Sequence, residues 1–262
     1  MRAAPLLCAL LLAGCGQSPA GKTAAPTGAA ATAAATAAVA VPVAMTFRAG
    51  DGLTVFARRY DAQKPKALIL LFHQAGSSKD EYATIAPRLA SAGYSALAVD
   101  ARAGGNLYGV NETAAALTRT PDYLEAQQDL QTALNWAQSQ KLPVILWGSS
   151  YSSSLVFPLA AANPGVVRAI LAFSPGEYFA DKQLVEQAAA DVTVPVFVTS
   201  ASKPDEIAAA KAIAGAVPGG KAQQYVPTAG VHGSSTLIAA KNPKGAEANW
   251  RAVLAFLAKV AR

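Results

Sequence analysis

Six short stretches of this chain are apolar enough, and regularly enough spaced, to set its architecture. Ala67–Phe72, Tyr94–Val99, Val144–Trp147, Val167–Phe173 and Val194–Thr199 are nearly continuous hydrophobic runs, and Gln223–Val226 is a weaker sixth. A strand with one wet face alternates apolar and polar residues; a run without alternation fits a strand buried on both faces. Ahead of these runs, Met45–Ala49 and Leu53–Tyr60 are β-branched and aromatic and are joined by Gly50-Asp51-Gly52, which predicts a hairpin.

Helical patterns fill the gaps. Helices are predicted from Lys79 to Ala92, closed by Gly93, and from Pro121 to Lys141, with Leu124, Leu130, Leu134 and Trp136 among the apolar positions. Another runs to Ala162 and stops at Asn163-Pro164-Gly165, with Pro158 expected to kink it. Residues 181–190, Asp205–Ala214 and Ala246–Val260 complete the set. After the hairpin, strands and helices alternate, which implies an α/β fold: a mostly parallel eight-stranded sheet covered on both faces. Residues 101–120 have no period, and so long a connection is expected to be functional or mobile. Only about 20 residues separate the sixth and seventh strands, so no large lid domain is expected and the cleft should be open.

Composition narrows the picture. The chain has 262 residues, 52% of them hydrophobic, enough for one sizeable domain. The net charge of +6 is spread without Lys/Arg runs or interleaved aromatics, which argues against nucleic-acid binding. A monomer is expected, and no pattern implies a metal or cofactor. Met1–Gly14 has one basic residue, an apolar run from Leu6 to Leu12 and small residues before Cys15, as a cleavable signal does. Leu12-Ala13-Gly14-Cys15 resembles the bacterial lipobox. That resemblance implies cleavage before Cys15, lipidation of its thiol, and a site in the cell envelope, with the outer membrane favoured over the inner. The other cysteine, Cys8, would leave with the signal, so no disulfide is available. Residues 15–42 are expected to form a lipidated, Ala/Thr/Pro-rich flexible tether, and residues 43–262 the folded domain.

Candidate chemistry sits at the end of the Val144–Trp147 run. Gly148-Ser149-Ser150-Tyr151-Ser152 is a G-x-S-x-S form of the G-x-S-x-G elbow, a strained strand-to-helix turn that lifts a serine hydroxyl above a parallel sheet. Gly148 allows strand and helix to approach, and only the Ser150 frame has a glycine two residues before and a strand just ahead. Ser150 is therefore the candidate nucleophile, and the N–H of Tyr151, at the helix start, is a candidate oxyanion donor.

The order of elements, with the elbow after the fifth strand, resembles the α/β-hydrolase fold, especially small serine hydrolases of the dienelactone-hydrolase-like and small-esterase group. The likeness covers residues 43–262. Two departures stand out: Ser152 replaces the second glycine, and Gln74 replaces the glycine usual after the histidine of the oxyanion loop, here His73-Gln74-Ala75-Gly76. Dienelactone hydrolases themselves use a cysteine nucleophile, and none is available here.

A serine hydroxyl needs a base. The chain offers only His73 and His232, each following a strand. The resemblance puts His73 in the oxyanion loop, where the family uses backbone N–H groups; Ala75 N–H is then the second donor, with Gln74 N–H one residue away. His232, in the loop after the last strand, is left as the base. The orienting acid comes from the loop after the seventh strand, and family spacing favours Asp205 over Glu206, giving the order Ser150, Asp205, His232. Glu177 is a further alternative, and Asp100 a structural one. Gln74, Asn106 and Tyr108 are candidate substrate contacts, and Asn111 could join them.

The leading expectation is a serine hydrolase that cleaves a small carboxylic ester through an acyl-enzyme. A non-catalytic, membrane-tethered binding protein on the same fold, or a peptidase or lipase, are the alternatives. The N-terminal reading has its own test. Cys15→Ser should release the protein from membranes on cell fractionation; a variant that stays membrane-bound after signal cleavage contradicts the lipid anchor.

Overall fold

Every apolar run expected as a strand forms one in the computed structural model, which describes residues 41–261. The signal segment, Cys15 and nearly all of the tether lie outside the described residues. The strands are β1 (Val43–Arg48), β2 (Thr54–Tyr60), β3 (Leu68–Phe72), β4 (Ser95–Val99), β5 (Val144–Ser149), β6 (Val167–Phe173), β7 (Val196–Thr199) and β8 (Ala222–Tyr225). They make one sheet in the order β1-β2-β4-β3-β5-β6-β7-β8. The β1–β2 and β2–β4 pairs are antiparallel and all others parallel. This is the α/β-hydrolase fold.

Among the described residues six α-helices lie between strands, α1 (Ile85–Ser91), α2 (Glu112–Ala115), α3 (Gln127–Ser139), α4 (Tyr151–Ala162), α5 (Leu184–Ala190) and α6 (Pro204–Ala216), and α7 (Ala246–Val260) follows the last strand. Because side chains alternate across a strand, each apolar run feeds two cores. Leu68, Leu70, Phe72, Leu146, Ile170 and Val198 pack with α3 to α6; Ile69, Leu71, Trp147, Leu171, Phe173 and Phe197 pack with α1 and α7. Burial on both faces accounts for the lack of alternation in the sequence. Between β6 and β7 only α5 intervenes, so there is no large lid domain.

Two predicted helices differ in detail. The expected helix from Lys79 to Ala92 is a 3-10 turn at Lys79–Tyr82 followed by α1. Lys79, Glu81 and Tyr82 are all buried, tied to Asp100, to Ser149 and to the Phe72 carbonyl; an α-helical turn would splay them, and the tighter turn keeps them inward. The expected helix from Pro121 starts with an Asp122–Glu125 capping box on a 3-10 turn and becomes α-helical only at Gln127.

Residues 101–120 are fixed by polar anchors, not by an apolar face. Buried Arg102 bridges Asp129 (2.8 Å) and Asp51 (2.6 Å). Asn111 donates to Ala101 O, Ser77 O and His73 Nε2, and its Oδ1 caps α2. Asn111 is thus a structural hub, not a cleft residue. Asp100, fully buried, accepts from the Lys79 N–H (2.6 Å), Lys79 Nζ (2.7 Å) and the Glu112 N–H (2.9 Å), as a structural residue does. Asp100→Ala leaves Lys79 with only half-exposed Glu112 as a counter-charge. It should cost about 3–5 kcal/mol in chemical denaturation, and a loss under 1 kcal/mol would contradict the pairing.

Candidate functional site

Parallel strands that end at one edge bring their following loops together there. The ends of β3, β5, β6 and β7 are in register, with Phe72 beside Gly148, Ser149 beside Phe173, and Phe173 beside Thr199. The elbow after β5 is the sharpest of these connections. Ser150 has φ 59° and ψ −125°, a conformation that L-residues adopt only under constraint. Its N–H donates to Phe173 O (2.8 Å), which locks the turn to β6. A Cβ on Gly148 would overlap Ser153 at the start of α4, so glycine is required there.

Ser152, the departure from the usual second glycine, has its own role. It is fully buried; its hydroxyl donates to Phe72 O (2.7 Å) and accepts from the Ser149 N–H (2.9 Å). The extra hydroxyl therefore stitches the elbow to the end of β3.

His232 Nε2 lies 2.8 Å from Ser150 Oγ, and His232 Nδ1 lies 3.0 Å from Glu206 Oε2. These contacts fit one tautomer: Nδ1–H donates to Glu206, and Nε2 accepts from the serine hydroxyl. The expectation of Asp205 beside His232 is corrected by this geometry. Both acids sit in the first turn of α6, where consecutive side chains diverge by about 100°. Glu206 turns back toward the sheet edge, while Asp205 is exposed to solvent. Burial pushes the Glu206 carboxyl up, but hydrogen bonds from Ser174, the Ala201 N–H (3.1 Å) and His232 outweigh it and hold the group below the ordinary glutamate range. Ser174 also accepts from the Gly233 N–H (3.0 Å), so the same hydroxyl links the acid to the histidine loop. Glu177 is elsewhere, accepting from the Val185 and Glu186 N–H groups at the start of α5.

In the loop after β3, His73 is fully buried and bonded on both sides: Nδ1 to Gln74 O (2.7 Å), and Nε2 from the Ala101 N–H (3.0 Å). Burial first of all lowers its pKa, so it is a neutral structural imidazole. The Gln74 N–H is already committed to Glu81 Oε2 (2.9 Å), which leaves Ala75 as the loop amide nearest the expected role. The Gln74 side chain reaches the Tyr108 hydroxyl, and Tyr108 bonds Ser235 at short range, three residues after His232. These two candidate contacts thus converge on the rim, whereas Asn106 points to solvent.

Two residues at the site carry no sequence signal. Tyr178, after β6, donates to Ser174 O (2.8 Å), and its hydroxyl also interacts with Ser150. Glu81 is buried beneath the elbow, where its Oε1 accepts from Ser149 Oγ (2.6 Å). Burial raises the Glu81 carboxyl to about 7, against hydrogen bonds from Ser149 and the Gln74 N–H. The titratable groups facing it, Tyr82, Tyr108 and Tyr151, are phenols pushed up by burial and stay neutral through this range.

The folded protein therefore binds the Glu81 proton more tightly than the unfolded chain, with folded and unfolded pKa values of about 7 and 4.5. The stability that Glu81 adds relative to Glu81→Gln is fully present below pH 4.5 and lost as pH rises through 7, a swing of about 3 kcal/mol. Denaturation of both proteins across this window measures it; a constant difference contradicts the buried ionisation.

Comparisons with known proteins bear on the family and the fold. Residues 63–204 match the family model described as "Serine aminopeptidase, S33". No curated protein sequence matches the chain. Among solved structures, an esterase of Pyrococcus furiosus aligns with TM-score 0.64 and 16% identity over 85% of this chain and 94% of its own. A thermostable carboxyl esterase from Bacillus coagulans aligns with TM-score 0.65 and 12% identity over 85% and 99%. A dienelactone hydrolase from Anabaena variabilis aligns with TM-score 0.62 and 18% identity over 78% and 94%. At these identities the structures establish the shared fold.

Proposed function

The chain belongs to the serine aminopeptidase S33 family of α/β-fold hydrolases, and from that premise we propose that it is a serine esterase acting on small carboxylic esters. The observation that carries the reading is the run of contacts from Ser150 Oγ through His232 to Glu206, at 2.8 Å and 3.0 Å. Ser150 attacks the ester carbonyl as His232 Nε2 takes its proton. Glu206, held ionised by its hydrogen bonds, orients the imidazole and stabilises the imidazolium. The N–H groups of Tyr151 and Ala75 receive the developing oxyanion. His232 returns the proton to the leaving alcohol, and a water then repeats the sequence to release the acid.

An ester is favoured over a peptide by what the acidic groups are doing. An aminopeptidase needs a carboxylate for the substrate ammonium, and Glu206 and Glu81 are both engaged in internal hydrogen bonds. A binding protein without activity would have no need to hold a serine in the left-handed region beside a histidine–carboxylate pair. The same reading includes lipid attachment at Cys15, which would hold the enzyme at the envelope surface while the domain acts on soluble esters.

A fluorophosphonate probe should label the protein, and Ser150→Ala should abolish labelling; an unlabelled native protein contradicts the proposal. Glu206→Gln should lower kcat/KM for a p-nitrophenyl ester by about a hundredfold to ten thousandfold, and Asp205→Asn should leave it within about twofold. The reverse ranking would return the acid's role to Asp205.

A further inference from the structure

Glu81 stands outside the proton relay, yet its carboxylate touches the loops around the site at two places and reaches a third through Ser149. Oε2 accepts from the Gln74 N–H in the loop after β3 (2.9 Å), and Oε1 accepts from Ser149 Oγ, the residue before the nucleophile (2.6 Å). Ser149 Oγ in turn accepts from the Ser234 N–H (2.8 Å), two residues after His232. A Cβ on Gly233 would overlap Ser149 Oγ, so the histidine loop is packed directly on this bridge. We propose that Glu81 is a positioning residue for the esterase reaction, its carboxylate aiming the Ala75 N–H at the oxyanion and fixing the nucleophile turn against the histidine loop. The inference rests on the serine-esterase reading above.

Peptide geometry supplies the link from Glu81 to the oxyanion. A peptide unit is planar and trans, so the carbonyl of Gln74 and the N–H of Ala75 point in opposite directions. Gln74 O is held from one side by His73 Nδ1 (2.7 Å) and the Ser77 N–H (3.2 Å). Glu81 holds the other peptide of the same residue through the Gln74 N–H. With both peptide planes of residue 74 pinned, the Ala75 N–H has one direction left. The glycine usual at this position is Gln74 here, whose side chain is drawn to Tyr108 on the rim; its backbone is set by Glu81 from below.

The bridge needs an acceptor that can take two donors at once, one on each oxygen, which an ionised carboxylate does and an amide does not. Glutamine at position 81 offers one oxygen and one NH2: with its oxygen on the Gln74 N–H, its NH2 would donate to Ser149 Oγ, which reverses that bond and leaves the Ser149 hydroxyl hydrogen without its carboxylate acceptor. The hydrogen-bond partners of Glu81 are neutral, and an uncompensated carboxylate in a dry setting is a stability cost, which accords with its raised pKa. Groups kept at such a cost cluster where function needs them.

The test separates positioning from folding by counting competent sites. Native protein, Glu81→Gln, Ser149→Ala and the double variant are titrated with a fluorophosphonate. Steady-state hydrolysis of a short p-nitrophenyl ester is then expressed per titrated site. Glu81→Gln should lose on the order of ten- to a hundredfold in kcat per site, with KM within about threefold, as expected when an oxyanion donor is misaimed. Ser149→Ala should lose less, by the same route, and the double variant should lose no more than Glu81→Gln alone. A Glu81→Gln enzyme with native kcat per titrated site would overturn the inference, since a merely structural role changes the number of sites and not their rate. If Glu81→Gln does not fold, a native kcat and KM in Ser149→Ala overturns it equally. A native protein that the probe does not label rejects the serine-esterase reading itself, whatever Glu81 does.

Discussion

The turn at Ser150 is the constraint on which the site depends. A non-glycine residue at φ 59° and ψ −125° is held there against its own preference, at a cost on the order of 1–3 kcal/mol. The surroundings supply that energy locally. Gly148 lets α4 close on β5, Ser150 N–H is taken by β6, and the Ser152 hydroxyl ties the turn to β3. Strands on both sides of β5 are thus bonded to the elbow itself. The position of the Ser150 hydroxyl is as rigid as the sheet beneath it, and the loops bearing Glu206 and His232 are set against a fixed point.

Around that point the polar groups form two layers. The upper layer is Ser150, His232 and Glu206, with Ser174 and Tyr178 beside them. Beneath it, Glu81, Ser149, Ser234, Tyr82 and Trp147 form a buried hydrogen-bonded layer: Trp147 Nε1 donates to Ser234 Oγ (2.9 Å), and Tyr82 OH to Phe72 O (2.6 Å). Ser149 and Ser234 link this layer because a hydroxyl can both donate and accept: each accepts from one neighbour, and Ser149 also donates to Glu81. The serine-rich sequence around the elbow is therefore a bonding pattern, not only a helix start. The hydroxyls of Ser149, Ser152, Ser153 and Ser154 donate to Glu81 Oε1, Phe72 O, Ser150 O and Gly176 O in turn, and that of Ser150 meets His232 Nε2.

The fold was legible because its signal is repeated: five strands buried on both faces read as unbroken apolar runs, and these in order with the hairpin before them and the weaker last strand after them leave few topologies. Ser150 and His232 were legible because a glycine-preceded serine after a strand is rare and the chain has only two histidines. Asp205 was favoured wrongly, since spacing reaches the correct turn of α6 but not the side of it; one residue of rotation decides which acid faces the sheet. Glu81 and Tyr178 could not be read from the sequence at all. Glu81 lies in what looks like a solvated first helical turn, and only the 3-10 geometry of Lys79–Tyr82 turns it inward. The unpatterned segment 101–120 was misleading in the same way: it is ordered by Arg102 and Asn111, single polar residues that leave no periodic trace.

The central claim is that Ser150 Oγ becomes covalently acylated during turnover. Rapid acid quench of the protein with p-nitrophenyl acetate, followed by peptide mass spectrometry, tests it directly. The account predicts one added acetyl group, on the peptide containing Ser150, appearing with the first turnover and absent in Ser150→Ala. Release of p-nitrophenol with Ser150 unmodified, or acetyl on another residue at the same rate, would contradict it.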